Sequence, residues 1–210
     1  MRIIHPKDEN TAWQELAELL HEAFQERLDQ GLHFSCSFMT AEEIEQESKD
    51  CVVLVAVDKD DDNRLVGTVT LKPLTEHKAE HCNLAVSPSC RHAGVATRLL
   101  KALEDLALQR GCDHIISDTA EQAHSSVAWH KKNGFYPISL HAFWDTNYYS
   151  IIFRKQLKHH WLWSNRLLCA IRFAVISPFY KIYRNSDSTL TQFGELIFLF
   201  RKFRRKLWKN

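Results

Sequence analysis

Hydrophobic residues near the start of the chain recur at the spacing of one helix face. This recurrence predicts an amphipathic helix after Asn10 or Thr11, because either short polar side chain can cap the free first-turn amides. A second, shorter helix is predicted to begin after Thr40, since Thr40 and Glu43 have the spacing of a capping box. The apolar positions of the first helix are Trp13, Leu16, Leu19, Leu20, Ala23, Phe24 and Leu28.

Shorter apolar and β-branched runs predict strands, with two more helical patterns between them. One helix has its apolar stripe at residues 99, 100, 103, 106 and 107 and ends at Gly111. A shorter helix, capped by Ser125 or Ser126, ends at Gly134. Strands are predicted at residues 2–5, 51–57, 65–71, 81–86, 114–117, 135–143 and 148–153. The order β-α-α-β-β-β-α-β-α-β-β predicts an α/β (α+β) fold with a mixed central sheet flanked by helices.

Charge is distributed unevenly, although the formal net charge of the 210 residues is only +1. Residues 158–210 contain eleven Lys or Arg and two acidic side chains, a charge of +9 that leaves −8 on residues 1–157. The same segment holds eleven of the 23 aromatic residues. We therefore predict two parts, a domain over residues 1–157 and a basic, aromatic helical extension over residues 158–210.

The pattern of the extension predicts an interaction surface. Residues 190–208 place Phe and Leu on one helix face and Lys and Arg on much of the rest, which is typical of a helix lying in the plane of an anionic membrane. Two alternatives are packing against the acidic domain and a homodimer interface, because opposite charges attract and the helix is amphipathic. Nucleic-acid binding is the least favoured partner, although basic and aromatic residues also suit phosphates and bases.

Several classes of protein are excluded or disfavoured by what the sequence does not contain. No run approaches the ~18 consecutive apolar residues of a membrane-spanning helix, and residues 1–6 (MRIIHP) do not begin a secretory signal. The six cysteines have neither a C-x-x-C pair nor metal-ligand spacing, so we expect reduced thiols and no metal. These observations predict a cytoplasmic protein, peripheral on the inner membrane face if its extension binds lipid.

Residues 84–97 (LAVSPSCRHAGVAT) predict a strand, a turn and the start of a helix. The first amides of a helix lack intrahelical partners and carry partial positive charge, so they favour an anion. Gly94 and the small Ala93 and Ala96 let a ligand approach the backbone closely. The segment has neither a P-loop Lys-Ser/Thr nor the dinucleotide G-x-G-x-x-G. A pyrophosphate cradle and an ordinary strand–helix turn are both compatible with these residues.

The segment resembles the acyl-CoA motif of the GCN5-related N-acetyltransferase (GNAT) superfamily, in which R/Q-x-x-G-x-G/A follows a strand ending in Val. The matching residues are Val86, Arg91, Gly94 and Ala96. Residues 127–135 are similar to the family's x-x-x-Tyr-x-x-x-Gly-Phe segment, and residues 148–157 resemble its closing strand. The resemblance covers about residues 1–157 and implies a GNAT-like sheet.

This resemblance implies acyl transfer from acetyl-CoA, or another acyl-CoA, to a primary amine without a metal. The strand before the turn would pair with the pantetheine arm, and the turn amides would bind the pyrophosphate. Ser125 and Ser126, at the start of the helix that ends at Gly134, would lie near the other side of the cofactor. The implied cofactor-binding residues are Leu84, Ala85, Val86, Arg91, His92, Ala93, Gly94, Val95, Ala96, Thr97, Ser125 and Ser126.

The sequence departs from the family at both usual catalytic positions. His130 stands where the family has its acidic Tyr, and an imidazolium can donate a proton near neutral pH. Cys82 stands where the family often has Glu. Glu80, two residues earlier on the same strand face, is the expected base, acting directly or through water. Cys82 is expected to be a buried filler, with an acyl-cysteine intermediate as the alternative.

The favoured hypothesis is an N-acyltransferase whose extension brings it to a membrane surface, where the acceptor is a small-molecule or lipid-linked amine. One alternative is a soluble small-molecule or protein amine acetyltransferase with a packed or dimerising extension. A third is a non-catalytic acyl-CoA-binding regulatory module, which the missing Tyr and displaced Glu leave open.

Overall fold

The computed structural model describes residues 12–58, 64–143 and 146–158, followed by 167, 169–171 and 173–178. Up to residue 158, helices and strands follow the predicted order. The predicted strand at residues 2–5 and both candidate caps, Asn10 and Thr11, lie outside the described residues. The helices are α1 (Ala12–Asp29), α2 (Ala41–Glu47), α3 (Val95–Gln109) and α4 (His124–Lys132). The strands are β1 (Val52–Val57), β2 (Leu65–Thr75), β3 (Lys78–Val86), β4 (His114–Ala120), β5 (Tyr136–His141) and β6 (Ser150–Gln156).

The centre of the domain is one six-stranded sheet in the order β1-β2-β3-β4-β6-β5. Neighbouring strands are antiparallel except β3 and β4, which run parallel through the crossover helix α3. A mixed sheet flanked by helices is therefore confirmed.

The two faces of the sheet carry separate cores. Because successive side chains of a strand point to opposite faces, Leu54 packs in the core that includes α3, while Val53 and Val55 pack against α1 and α2. β1 reads as a continuous apolar run since both of its faces are covered.

Of the predicted N-cap residues, the one for α2 is confirmed and those for α4 are wrong. Thr40 caps α2 in a complete capping box, since its side chain accepts from the Glu43 amide while the Glu43 side chain accepts from the Thr40 amide. Neither Ser125 nor Ser126 caps α4. The N-cap is Ala123, which makes no side-chain bond, and both serines lie inside the first turn. The Ser125 hydroxyl accepts from the Arg27 guanidinium instead, at 2.5 Å.

Part of the extension is described. Residues 167, 169–171 and 173–178 are helical, and Phe173 packs against the core that includes α3. Four apolar side chains of this helix are 48–65% exposed: Leu167, Ile171, Val175 and Ile176. In the described part of the chain no helix is long and apolar enough to cross a membrane. The amphipathic helix predicted at residues 190–208 lies outside the described residues.

Candidate acyl-donor site

A gap opens in the sheet between β3 and β4. Their parallel ladder joins Lys78 to His114 and Glu80 to Ile116, and within the described residues it stops there, although β3 continues to Val86. The strands separate because β3 contains a bulge at Asn83, whose φ is +52°, opposite β2. The gap therefore presents main-chain groups of β3 that no strand occupies. It brings together Leu84, Ala85 and Val86 from the sequence prediction.

The turn after β3 leads from this gap into α3. Gly94 caps α3 with φ +77°, and His92 also has a positive φ of +65°. The first intrahelical bond runs from the Arg98 amide to the Gly94 carbonyl, so the preceding amides face the turn without helical partners. A Cβ built on Gly94 would meet no atom within 4 Å. Open space thus lies in front of the predicted pyrophosphate cradle, where Ala93, Ala96 and Thr97 flank the glycine.

Two of the predicted cofactor residues are held by α1. Arg91 forms an ion pair with Glu26 at 2.6 Å and donates to the Ala23 carbonyl at 3.2 Å. On the other side of the gap, Arg27 holds Ser125. Adjacent residues of α1 thereby bind both the turn before α3 and the start of α4. Val95 is buried in the core, so it contributes to the cradle only through its main chain.

His130 is buried beneath the point where β3 and β4 separate. Its Nδ1 lies 2.8 Å from the Ser126 carbonyl oxygen, and its Nε2 lies 3.1 Å from the Ser117 hydroxyl. The ring stacks on Phe153 at 4.8 Å. Burial lowers the pKa of His130 more than the Ser126 hydrogen bond raises it. The imidazole is therefore neutral at pH 7, unlike the imidazolium acid that the sequence predicts.

A second imidazole, His81, occupies the same place from the β3 side. Its ring centroid lies 5.9 Å from that of His130, and it also contacts Trp129 and Phe135. Neither ring nitrogen has a hydrogen-bond partner among the described residues. Burial, with smaller contributions from His130 and Lys155, lowers the pKa of His81 to about 3. The aromatic cluster is therefore neutral although it contains two histidines.

The opposite face of the sheet carries charged side chains of both signs at this level, since Lys72 and Lys78 also act on Glu80. Burial raises the pKa of the half-buried Glu80, and the charge of Asp118 raises it further. Cys82 shares that face, and its thiol donates to the Thr70 carbonyl at 3.7 Å. Burial also raises the pKa of Cys82, so its thiol stays protonated. Glu80 thus retains the chemistry of a base, whereas Cys82 has the environment of an inert filler.

Several residues of the site were missed by sequence reasoning. His81, Ser117, Asp118 and Glu26 reach it only through contacts between distant elements. Strand alternation places His81 opposite Glu80, but it gives no hint of a polar cluster. The described residues contain no group of three His, Cys, Asp or Glu side chains that could hold a metal ion.

The gap, the glycine-capped turn and the order of elements define an acyltransferase class of fold. The sequence model of the acetyltransferase (GNAT) family matches residues 13–135, more than half of the chain. The chain therefore belongs to the GNAT acetyltransferase family, which confirms the resemblance found in its motifs. It is an acyl-CoA-dependent N-acetyltransferase that uses acetyl-CoA as co-substrate. No curated protein matches the chain significantly.

Solved structures share the fold at low sequence identity. An aminoglycoside 6'-N-acetyltransferase complexed with coenzyme A is 20% identical with a TM-score of 0.58, the match covering 76% of this chain and 99% of that one. An aminoglycoside 6'-acetyltransferase type Ii is 24% identical with a TM-score of 0.59, at the same coverage. The PaiA N-acetyltransferase of Thermoplasma acidophilum, in complex with coenzyme A, is 20% identical with a TM-score of 0.56, the match covering 74% and 96%.

Proposed function

We propose that the chain acetylates a primary amine, with the acetyl-CoA arm lying between β3 and β4. The observation that carries this proposal is the gap itself, which begins beyond the Glu80–Ile116 pair and leads to the open turn at Gly94. The free main-chain groups of Leu84 and Val86 pair with the amides of the pantetheine arm. The pyrophosphate lies on the amides from His92 to Thr97, where the helix dipole favours negative charge.

The acceptor enters from the face that carries Glu80. Its ammonium, with a pKa near 10.4, must lose a proton before the nitrogen attacks the thioester. Glu80 takes that proton, directly or through water, and its raised pKa makes it a better base than an exposed carboxylate.

Glycine substitution tests the donor site with a matched control. Gly94 and Gly31 have nearly the same positive φ, +77° and +75°, and neither would place a Cβ near another atom. Gly94→Val and Gly31→Val therefore carry similar backbone strain, but only the former puts a side chain in front of the cradle. Calorimetry should show at least tenfold weaker acetyl-CoA binding for Gly94→Val and near wild-type binding for Gly31→Val. Equal affinities of the two variants would exclude this cradle.

Turnover identifies the class of amine acceptor. Free thiol release from acetyl-CoA is followed with spermidine, kanamycin, a lysine-containing peptide and a vesicle-borne aminolipid as acceptors. Release that depends on one of these amines supports the transferase. Acetyl-CoA binding without release for any of them would contradict an acceptor of these four kinds.

We also propose that the extension brings the enzyme to an anionic membrane surface on the cytoplasmic side. Support comes from its charge of +9 and from the exposed apolar side chains of the helix at residues 167–178. Ile171→Glu with Val175→Glu should reduce co-sedimentation with phosphatidylglycerol vesicles several-fold. Leu108→Glu changes a comparably apolar exposed residue on α3 and is the control. Unchanged sedimentation combined with loss of self-association would indicate a homodimer interface instead.

A further inference from the structure

Ser117 occupies the first position of β4 beyond the last backbone pair with β3. Ile116 is still paired with Glu80, and the strands separate from there. Ser117 also faces the buried cluster, where its hydroxyl lies 3.1 Å from His130 Nε2. The residue is therefore at the closed end of the gap, with the neutral imidazole directly behind it. This is the place where the sulfur end of a donor lying in the gap would meet protein groups.

The proton on His130 can be assigned from its partners. A carbonyl oxygen only accepts hydrogen bonds, so the ring nitrogen that faces the Ser126 carbonyl, Nδ1, carries the hydrogen. In a neutral imidazole the other nitrogen then has a lone pair and no proton. His130 Nε2 therefore accepts from the Ser117 hydroxyl. In this state His130 cannot be the direct donor to a leaving thiolate, because its only proton points away towards α4.

We propose that Ser117 is the group that exchanges a proton with the donor sulfur, and that His130 acts through it. This inference rests on the proposed binding of acetyl-CoA in the gap. Ser117 is then the catalytic residue, and His130 is the positioning residue that stores the proton.

One proton moves through the pair in each turnover. After the amine nitrogen bonds to the thioester carbon, the ammonium of the tetrahedral adduct gives a proton to Ser117 Oγ as the Ser117 hydroxyl proton passes to His130 Nε2. When the C–S bond breaks, His130 returns that proton to Oγ and the hydroxyl proton goes to the thiolate. The products are the amide and CoA thiol, and both side chains are restored without another reactant.

The rest of the cluster is consistent with such a shuttle. His81 approaches His130 from β3, and Phe135 and Phe153 enclose the rings. The unpartnered nitrogens of His81 mark the closed end of the gap as a place where the described chain leaves polar groups unsatisfied. A bound polar group at this point would remove that cost.

A binding cycle tests the contact without knowledge of the acceptor. CoA and desulfo-CoA are titrated by calorimetry into the full-length wild type, Ser117→Ala and Ser150→Ala. Ser150 is the matched control because its buried hydroxyl has no partner among the described residues. The wild type and Ser150→Ala should bind CoA about threefold or more tightly than desulfo-CoA, since a hydrogen bond contributes that order of affinity. Ser117→Ala should bind both equally.

The outcomes distinguish the two proposals. If the wild type binds neither ligand, the proposed function falls. If it binds CoA and the preference over desulfo-CoA persists in Ser117→Ala, the role of Ser117 is excluded while the donor site stands. Thermal melting of each variant shows whether it is folded, and Ser117→Thr, which keeps the hydroxyl, should restore the preference.

Turnover with the best amine of the panel adds a kinetic criterion. Ser117→Ala should lower kcat about 100-fold with little change in KM for acetyl-CoA, and Ser117→Thr should recover part of that loss. Ser117→Ala combined with His130→Phe should be no slower than His130→Phe alone, because the pair acts as a unit. Additive losses would show that the two side chains act separately.

Discussion

Glu80 and His81 are adjacent in β3, and the pleat sends their side chains to opposite faces of the sheet. On one face Glu80 lies near Asp118 and its pKa is raised, chiefly by burial. On the other face His81 joins an aromatic cluster and burial lowers its pKa to about 3. Burial thus moves both groups towards their uncharged forms, but one face still carries charged side chains of both signs while the other holds a neutral aromatic cluster.

This difference assigns separate tasks to the two sides of the donor gap. A half-buried carboxylate whose pKa is raised can accept the proton of an incoming ammonium. A dry cluster with a single defined hydrogen bond from Ser117 to His130 can hold a proton without holding a permanent charge. In the proposed mechanism, deprotonation of the incoming ammonium therefore belongs to the Glu80 face, and the proton transfers that follow attack belong to the Ser117 face.

The largest expected effect is on the neutral face. His130→Phe should lower kcat about 100-fold and leave KM for acetyl-CoA within about twofold, because the ring serves proton transfer rather than donor binding. The measurement is steady-state acetyl transfer to the best amine of the panel. His141→Phe is the control, since His141 also lies 3.1 Å from a serine hydroxyl but outside the gap. Unchanged kcat in His130→Phe would remove that residue from the chemistry.

A smaller effect is expected for substitution of Glu80. Glu80→Gln should lower kcat/KM for the amine about 30-fold, within the usual range for loss of a base. Since the base acts in its deprotonated form and burial raises its pKa, wild-type activity should fall with decreasing pH above the ordinary glutamate range. That acidic limb should be absent in Glu80→Gln. The exposed Glu76→Gln is the control, and a retained limb in Glu80→Gln would assign it to another group.

The smallest effect concerns stability rather than catalysis. His81 has a pKa of about 3 in the folded protein and about 6.5 when unfolded, so the unfolded chain binds the extra proton between these values. Stability is therefore lost as pH falls below 6.5, by about 2 kcal/mol between pH 7 and pH 5. His81→Phe should remove that part of the loss, measured by urea unfolding at both pH values. The same acid loss in variant and wild type would show that His81 is not the titrating group.

Most of the fold could be predicted because the patterns that specify its helices and strands lie between residues close together in the sequence. Thr40 and Glu43 are three residues apart, and the run at residues 51–57 needs no partner to be recognised as a buried strand. β2, however, continues to Thr75 through four exposed residues. Those residues pair with β3 through backbone bonds, so no apolar pattern marks them.

The site was predictable only where a local motif carried it. Gly94 has the positive φ that its motif demands, and its surroundings are open as expected. Ser117 contacts His130 across thirteen positions of the sequence, and Arg91 contacts Glu26 across 65. Such contacts depend on how helices pack on the sheet, and no spacing rule encodes them. The prediction that His130 is an imidazolium was wrong for the same reason, since burial depends on how the helices pack on the sheet.

The bulge at Asn83 has a consequence for the protein before it meets its donor. Two strands that separate leave facing edges with unused amides and carbonyls, and exposed edges of this kind template pairing between chains. Most proteins protect such edges with charges, prolines or a covering loop. In the proposed complex, the pantetheine arm would cover these main-chain groups. We therefore expect the donor-free enzyme to self-associate more readily, and added acetyl-CoA to reduce that self-association.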